Sequence, residues 1–144
     1  MRDTSIETSG PEETEAVGAR LAARLRDGDL VLVRGELGAG KTTFVRGAAR
    51  ALGVSVPVTS PTFSIGHRYA ADGVAVGHVD LYRVGLLDGE EPDLLGDYVG
   101  DGRISFIEWP ADAEHELVAP RARVTIVHAG ADRRVITVED GEAS

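Results

Sequence analysis

The sequence predicts an α/β fold: a mixed sheet with flanking helices and antiparallel hairpins. Three observations lead to that class. Leu30-Val31-Leu32-Val33 is an unbroken apolar tetrad, which suits a parallel strand buried on both faces. Phe44, Val45, Ala48, Ala49 and Leu52 then recur at helical spacing, with Gly53 where a helix would stop. Two later pairs of alternating segments flank turn residues, as antiparallel hairpins do.

Taken in order, Thr4-Ser5-Ile6-Glu7-Thr8 alternates weakly and reads as an edge strand. Ser9-Gly10-Pro11-Glu12-Glu13 reads as a helix start, with Ser9 as cap, Pro11 in the first turn and two glutamates complementing the helix dipole. Val17, Leu21 and Leu25 line one face, and Asp27-Gly28-Asp29 ends that helix before the first core strand. Beyond the second helix, Pro61 forces Ser60 out of helical geometry, so Thr59-Ser60-Pro61-Thr62-Phe63 is an extended loop. The stretches 63–69 and 74–82 flank Asp72-Gly73, the first hairpin. Residues 85–102 form an acidic segment rich in glycine, where Pro92 forbids one continuous helix. Ile104-Ser105-Phe106-Ile107 is a second buried strand ending at Glu108-Trp109-Pro110, and residues 111–117 suit a short helix. Residues 123–127 and 133–138 alternate around His128-Ala129-Gly130-Ala131-Asp132, the closing hairpin.

A chain of 144 residues is read as one domain, 1–144, able to bury about 68–70% of its unfolded surface. The absence of cysteine excludes disulfides and thiolate metal sites. No apolar run approaches the roughly 20 residues of a membrane helix, and Met1-Arg2-Asp3-Thr4-Ser5 lacks a signal-peptide core, so a cytoplasmic protein is expected. Fifteen basic against 24 acidic residues give a net charge of −9, which disfavours a direct grip on a phosphate backbone.

The chemistry starts at Gly35-Glu36-Leu37-Gly38-Ala39-Gly40-Lys41-Thr42-Thr43, which fits G-x-x-x-x-G-K-[ST]. Strand, glycine-rich loop and helix come in the order of a P-loop NTPase-like sheet, and Leu37, Gly38, Ala39, Gly40, Lys41, Thr42 and Thr43 are the candidate cofactor-binding run. The glycines let successive N–H groups converge on an anion, and the helix N-terminus adds donors and a positive dipole end. Lys41 can reach the β- and γ-phosphates, and the Thr42 hydroxyl can ligate Mg²⁺. Lys41 is the only lysine, the other fourteen basic side chains being arginine, so a flexible point charge occurs only where this chemistry asks for one. The loop says only that a nucleotide phosphate binds; kinases, GTPases and motors read alike there.

A carboxylate is needed to hold Mg²⁺ and its waters, and in such folds it ends a neighbouring buried strand. Glu108 and Asp80 both qualify, and Glu108, after the more continuous apolar run, is preferred as the metal-side acid. Asp80 is left to orient the attacking water or act as base, against the alternative of a salt bridge to Arg83. Thr62, in a proline-stiffened loop, is a candidate sensor of the γ-phosphate and Mg²⁺, and equally a turn residue. His78 and Asp80 share one strand face, but no third ligand at metal-site spacing accompanies them, so a metal pair is rejected. His67, His115 and His128 read as structural or solvated, and Trp109 as packed beside the site.

Together the phosphate loop, Ser60-Pro61-Thr62, Asp80-Leu81-Tyr82-Arg83 and Glu108-Trp109-Pro110 resemble, in order and approximate spacing, the TsaE (formerly YjeE) family of small bacterial P-loop ATPases. That family serves the threonylcarbamoyl modification of tRNA adenosine 37, and the resemblance spans nearly the whole chain. It implies ATP and Mg²⁺ as cofactors, residues 37–42 around the phosphates, and Thr42 with Glu108 on the metal. It also implies Asp80 near the γ-phosphate, Thr62 in a switch-like loop, and Pro11 near the adenine. The implied partners are TsaD and TsaB, with TsaC supplying the carbamoyl-adenylate. Pro92 and the glycines before Leu94-Leu95-Gly96-Asp97-Tyr98 depart from the family's acidic helix.

Three functions fit these residues: a slow Mg²⁺-dependent ATPase stimulated by partners, a small-molecule kinase, and a nucleotide-gated binding module. Slow hydrolysis is expected because no arginine is obviously placed to meet the developing charge, although Arg68 and Arg83 could move in.

Overall fold

The apolar tetrad at 30–33 sits where its composition requires, in the middle of a sheet. A computed structural model describes residues 3–35, 40–59, 66–71, 73–80, 102–109 and 120–140, excluding the side chains of residues 3, 80, 109 and 140. The strands are β1 (Asp3–Thr8), β2 (Leu30–Gly35), β3 (Gly66–Ala70), β4 (Ala75–Asp80), β5 (Arg103–Trp109), β6 (Ala122–His128) and β7 (Arg134–Asp140), with helices α1 (Pro11–Ala22) and α2 (Lys41–Ala51). They form one seven-stranded mixed sheet in the order β1-β7-β6-β2-β5-β4-β3. β2 runs parallel to β5 and β6, and β4 parallel to β5, while β3 and β7 are antiparallel additions and β1 is an antiparallel edge on β7. Both hairpins and the edge strand expected from the sequence are present.

Burial explains the tetrad. Val31 and Val33 point with Phe106, Val124, Ile126 and Ile136 into a core closed by Val17, Leu21, Phe44, Val45 and Ala48 of the two helices. Leu32, Val79 and Ile107, of the opposite parity, are also fully buried. A strand covered on both faces has no reason to alternate.

The two helices lie together on one face and meet through glycines. A Cβ on Gly18 would come within 2.3 Å of the Phe44 carbonyl oxygen, and one on Gly47 within 2.1 Å of the Glu15 carbonyl oxygen. Only glycine permits backbones that close. Glu15 spans the crossing to Arg50 and Arg46 at 3.2 and 3.8 Å.

The ends of α1 correct two expectations. Its N-cap is Gly10, not Ser9, and no side chain caps it. Ser9 stands one residue too early; its backbone N–H donates instead to Glu13 at 2.8 Å, while the Thr8 and Thr14 hydroxyls bond each other at 3.0 Å. The helix also stops at Ala22, before Leu25, because the Arg24 and Leu25 N–H groups bond three residues back to Leu21 and Ala22 and tighten the last turn. α2 ends as expected, with Gly53 at φ 107° just past its cap at Leu52.

The expected Ser60-Pro61-Thr62 loop, the acidic segment before Gly102 and the helix at 111–117 lie outside the described residues. Among the described residues, no helix is long and apolar enough to cross a membrane.

Candidate functional site

The parallel strands end along one edge of the sheet, where ligands of α/β proteins bind. Gly35, Asp80 and Trp109 close β2, β4 and β5 there. In register, Val33 lies opposite Glu108 and Asp80 opposite Glu108, so the two candidate acids terminate adjacent strands. Two separate apolar runs in the sequence thus deliver carboxylate residues to neighbouring positions. The Asp80 side chain lies outside the described residues, as do Leu37, Gly38, Ala39 and Thr62.

Gly40 opens α2 from the left-handed region, φ 106° and ψ 19°, a conformation that favours glycine. No side chain caps the helix, and Phe44 N–H makes its first intrahelical bond, to Gly40 at 3.0 Å. The earlier N–H groups of an α-helix have no intrahelical acceptor, and the helix dipole puts positive potential at this end, which suits an anion. Lys41 is 5% exposed and donates from Nζ to the Gly35 carbonyl at 2.8 Å. The first residue of α2 is thereby tied to the last residue of β2.

Thr42, next on the helix, donates its hydroxyl to Glu108 Oε2 at 2.9 Å. Glu108 is 3% exposed, and a buried carboxylate needs hydrogen-bond donors to be tolerable. Its second donor is His78, fully buried, whose Nε2 stands 2.5 Å from the same Oε2. An ionised carboxylate only accepts, so the ring nitrogen donates. Thr42 and Glu108, paired here as metal-side residues on sequence grounds, are thus in contact, and the pair offers the hard oxygen donors that Mg²⁺ takes. Among the described residues there is no group of three or more His, Cys, Asp or Glu placed to hold a metal ion.

A separate cavity of about 210 Å³ adjoins the start of α2. Gly10 with Pro11 and Thr14 of α1 line one side, Gly40 and Thr43 another, and Asp132 of the β6–β7 turn with Arg134, the first residue of β7, complete it. Pro11 and Thr43, both expected at the site, therefore border one space with Gly40.

Sequence reasoning weighed His78 only as half of a metal pair, which it rejected, and did not single out Asp132 or Arg134 as site residues. For His78 a signal existed: a histidine inside an apolar strand must find a polar partner. For Asp132 and Arg134 there was none, since only the fold-back of β7 beside β1 brings that turn to the start of α1.

Comparison with known proteins agrees with this architecture. The family model described as threonylcarbamoyl adenosine biosynthesis protein TsaE matches residues 8–136. The chain is 38% identical over 138 residues to the tRNA threonylcarbamoyladenosine biosynthesis protein TsaE of Bacillus subtilis, covering 95% of this chain and 85% of that protein. To the protein of the same name from Streptomyces coelicolor it is 46% identical over 119 residues, covering 81% and 80%. The crystal structure of Bacillus subtilis YdiB superposes with a TM-score of 0.78 at 34% identity, covering 98% of this chain and 87% of that one.

Proposed function

The chain belongs to the TsaE family, and from that premise we propose that it binds ATP with Mg²⁺ and hydrolyses it slowly when alone. In this reading residues 1–144 are one ATPase domain, the accessory ATPase of the TsaB–TsaD complex that threonylcarbamoylates adenosine 37 of tRNA. The observation that carries it is the hydrogen bond between Thr42 and Glu108 beside Lys41 at the carboxyl edge of the sheet.

Each residue has a defined task. The N–H groups of residues 37–43 and the Lys41 ammonium bind and orient the phosphates. A hydroxyl has one hydrogen and two lone pairs, so Thr42 can keep its bond to Glu108 while its oxygen ligates the cation. Thr42 and Glu108 would hold Mg²⁺, directly or through its water, and the bound cation would neutralise charge building on the β- and γ-phosphate oxygens. Asp80, in register with Glu108, orients the attacking water, and Thr62 senses the γ-phosphate. Pro11, Thr43, Asp132 and Arg134 border the nucleoside, a role supported by the cavity they share.

The test is the ATPase rate of the chain alone, with TsaB and TsaD added, and again with Glu108→Ala. We expect a slow basal rate, a rise with the partners, and loss of Mg²⁺-dependent hydrolysis in the variant. Full turnover by the isolated chain, unchanged by the partners, would overturn the accessory role. Saturable ATP-dependent phosphorylation of a hydroxylated acceptor would replace it with a kinase.

A further inference from the structure

We infer that His78 is a positioning residue for Glu108, fixing which oxygen of that carboxylate faces the bound cation. The inference rests on the nucleotide–Mg²⁺ reading of the site and adds a residue that neither the phosphate loop nor the two acids supply.

The geometry is asymmetric. Both donors, the Thr42 hydroxyl at 2.9 Å and His78 Nε2 at 2.5 Å, meet on the single oxygen Oε2. Neither bond uses Oε1, which leaves that oxygen to face the cation or a water in its shell. One hydrogen bond leaves a carboxylate free to pivot about it. Two on the same oxygen, from different elements, restrict that rotation.

The ring that supplies the second donor is itself enclosed. His78 lies on β4 between His67 of β3 and Phe106 of β5 in register, and is fully buried. Its Nδ1 has no hydrogen-bond partner among the described residues, so the ring's one hydrogen bond is committed to Glu108. Thr42 belongs to α2 and adjoins the phosphate-binding turn, whereas His78 belongs to the sheet. The sheet-borne donor therefore holds Glu108 in place independently of any movement of α2. Groups that hydrogen-bond a metal's ligand typically change metal affinity by about ten- to a hundred-fold when removed.

The experiment uses the full chain with ADP, reading Mn²⁺ affinity by electron paramagnetic resonance and metal-free ADP affinity by calorimetry. Wild type is measured first: no Mn²⁺ binding with ADP would remove the nucleotide–metal reading and this inference with it. Given wild-type binding, His78→Leu should weaken Mn²⁺ about ten-fold or more while metal-free ADP affinity stays within two-fold. His78→Gln, whose amide nitrogen can take the place of Nε2, should recover most of the loss. Unchanged Mn²⁺ affinity in His78→Leu would overturn the role of His78 and leave the nucleotide reading standing. An equal loss of metal-free ADP affinity would also overturn it, because His78 would then support only the packing. Should His78→Leu fail to fold, His78→Gln is compared with His78→Asn, whose shorter side chain withdraws the donor. Near-wild-type Mn²⁺ affinity for Gln with a ten-fold loss for Asn supports the inference, and equal affinities overturn it.

Discussion

Lys41 is held by Gly35, and Thr42 by Glu108, so neighbouring side chains are anchored to different strands. Their substitutions should differ in kind. Lys41→Ala removes a charge-assisted contact worth about 1.5–3 kcal/mol, roughly ten- to a hundred-fold in ATP affinity with or without Mg²⁺. Thr42→Val keeps the shape and the backbone donors but loses the hydroxyl. It should leave metal-free ATP affinity within a few-fold and abolish the tightening that Mg²⁺ brings. Calorimetric titration with and without Mg²⁺ separates the two, and an equal response of both variants to Mg²⁺ would contradict the division of labour. Thr42 and Glu108 were legible in the sequence because each follows a recognisable element: a glycine-rich loop and an apolar run. The contact of His78 with Glu108 was not, since it depends on the register of β4 against β5. A period-two pattern fixes the face a residue takes and says nothing of its neighbour across the ladder.

At the scale of elements, the helices were legible from their apolar spacing, but their closeness was not. Gly18 and Gly47 lie inside helices, where glycine costs about 1 kcal/mol relative to alanine. In the structure they are where α1 and α2 cross. Gly47→Ala would gain that propensity yet place Cβ 2.1 Å from the Glu15 carbonyl oxygen, a backbone atom that cannot swing aside. Overpacking costs about 1–3 kcal/mol, so the steric term should win and the urea midpoint should fall. ATP affinity should fall as well, because α2 begins with Lys41 and Thr42 and its displacement moves both. By contrast Glu15→Ala, which removes pairs to the half-buried Arg46 and the exposed Arg50, should cost less than about 1 kcal/mol. A larger loss for Glu15→Ala than for Gly47→Ala would mean that the crossing is held by charge instead of close backbone contact.

Across the molecule, the sheet order joins parts that the sequence keeps far apart. β1 ends at Thr8 opposite Arg134, the first residue of β7, so the start of α1 and the β6–β7 turn meet at one corner. Local pattern gave each strand and both hairpins. It did not give β6 a place beside β2, because pairing between distant strands leaves no periodic mark on either. That placement has a measurable consequence. If Mg-ATP occupies the cavity lined by Pro11, Thr14, Gly40, Thr43, Asp132 and Arg134, binding should slow amide exchange over 9–14 and 129–134 together with 40–44. At a hundred-fold excess over Kd, a ligand specific for the folded state adds about 2.7 kcal/mol, enough to slow exchange through global opening about a hundred-fold. Amides that exchange by local openings incompatible with the bound nucleotide should slow by up to that same factor, whereas amides whose local openings leave the nucleotide in place should not change, so mass spectrometry reads the contact from which locally exchanging segments slow. Protection confined to 40–44 and 105–109 would restrict the site to the phosphate and metal side and remove the β6–β7 turn from nucleoside recognition. Protection at both distant segments, lost with Lys41→Ala, would tie the cavity and the phosphate site to one ligand.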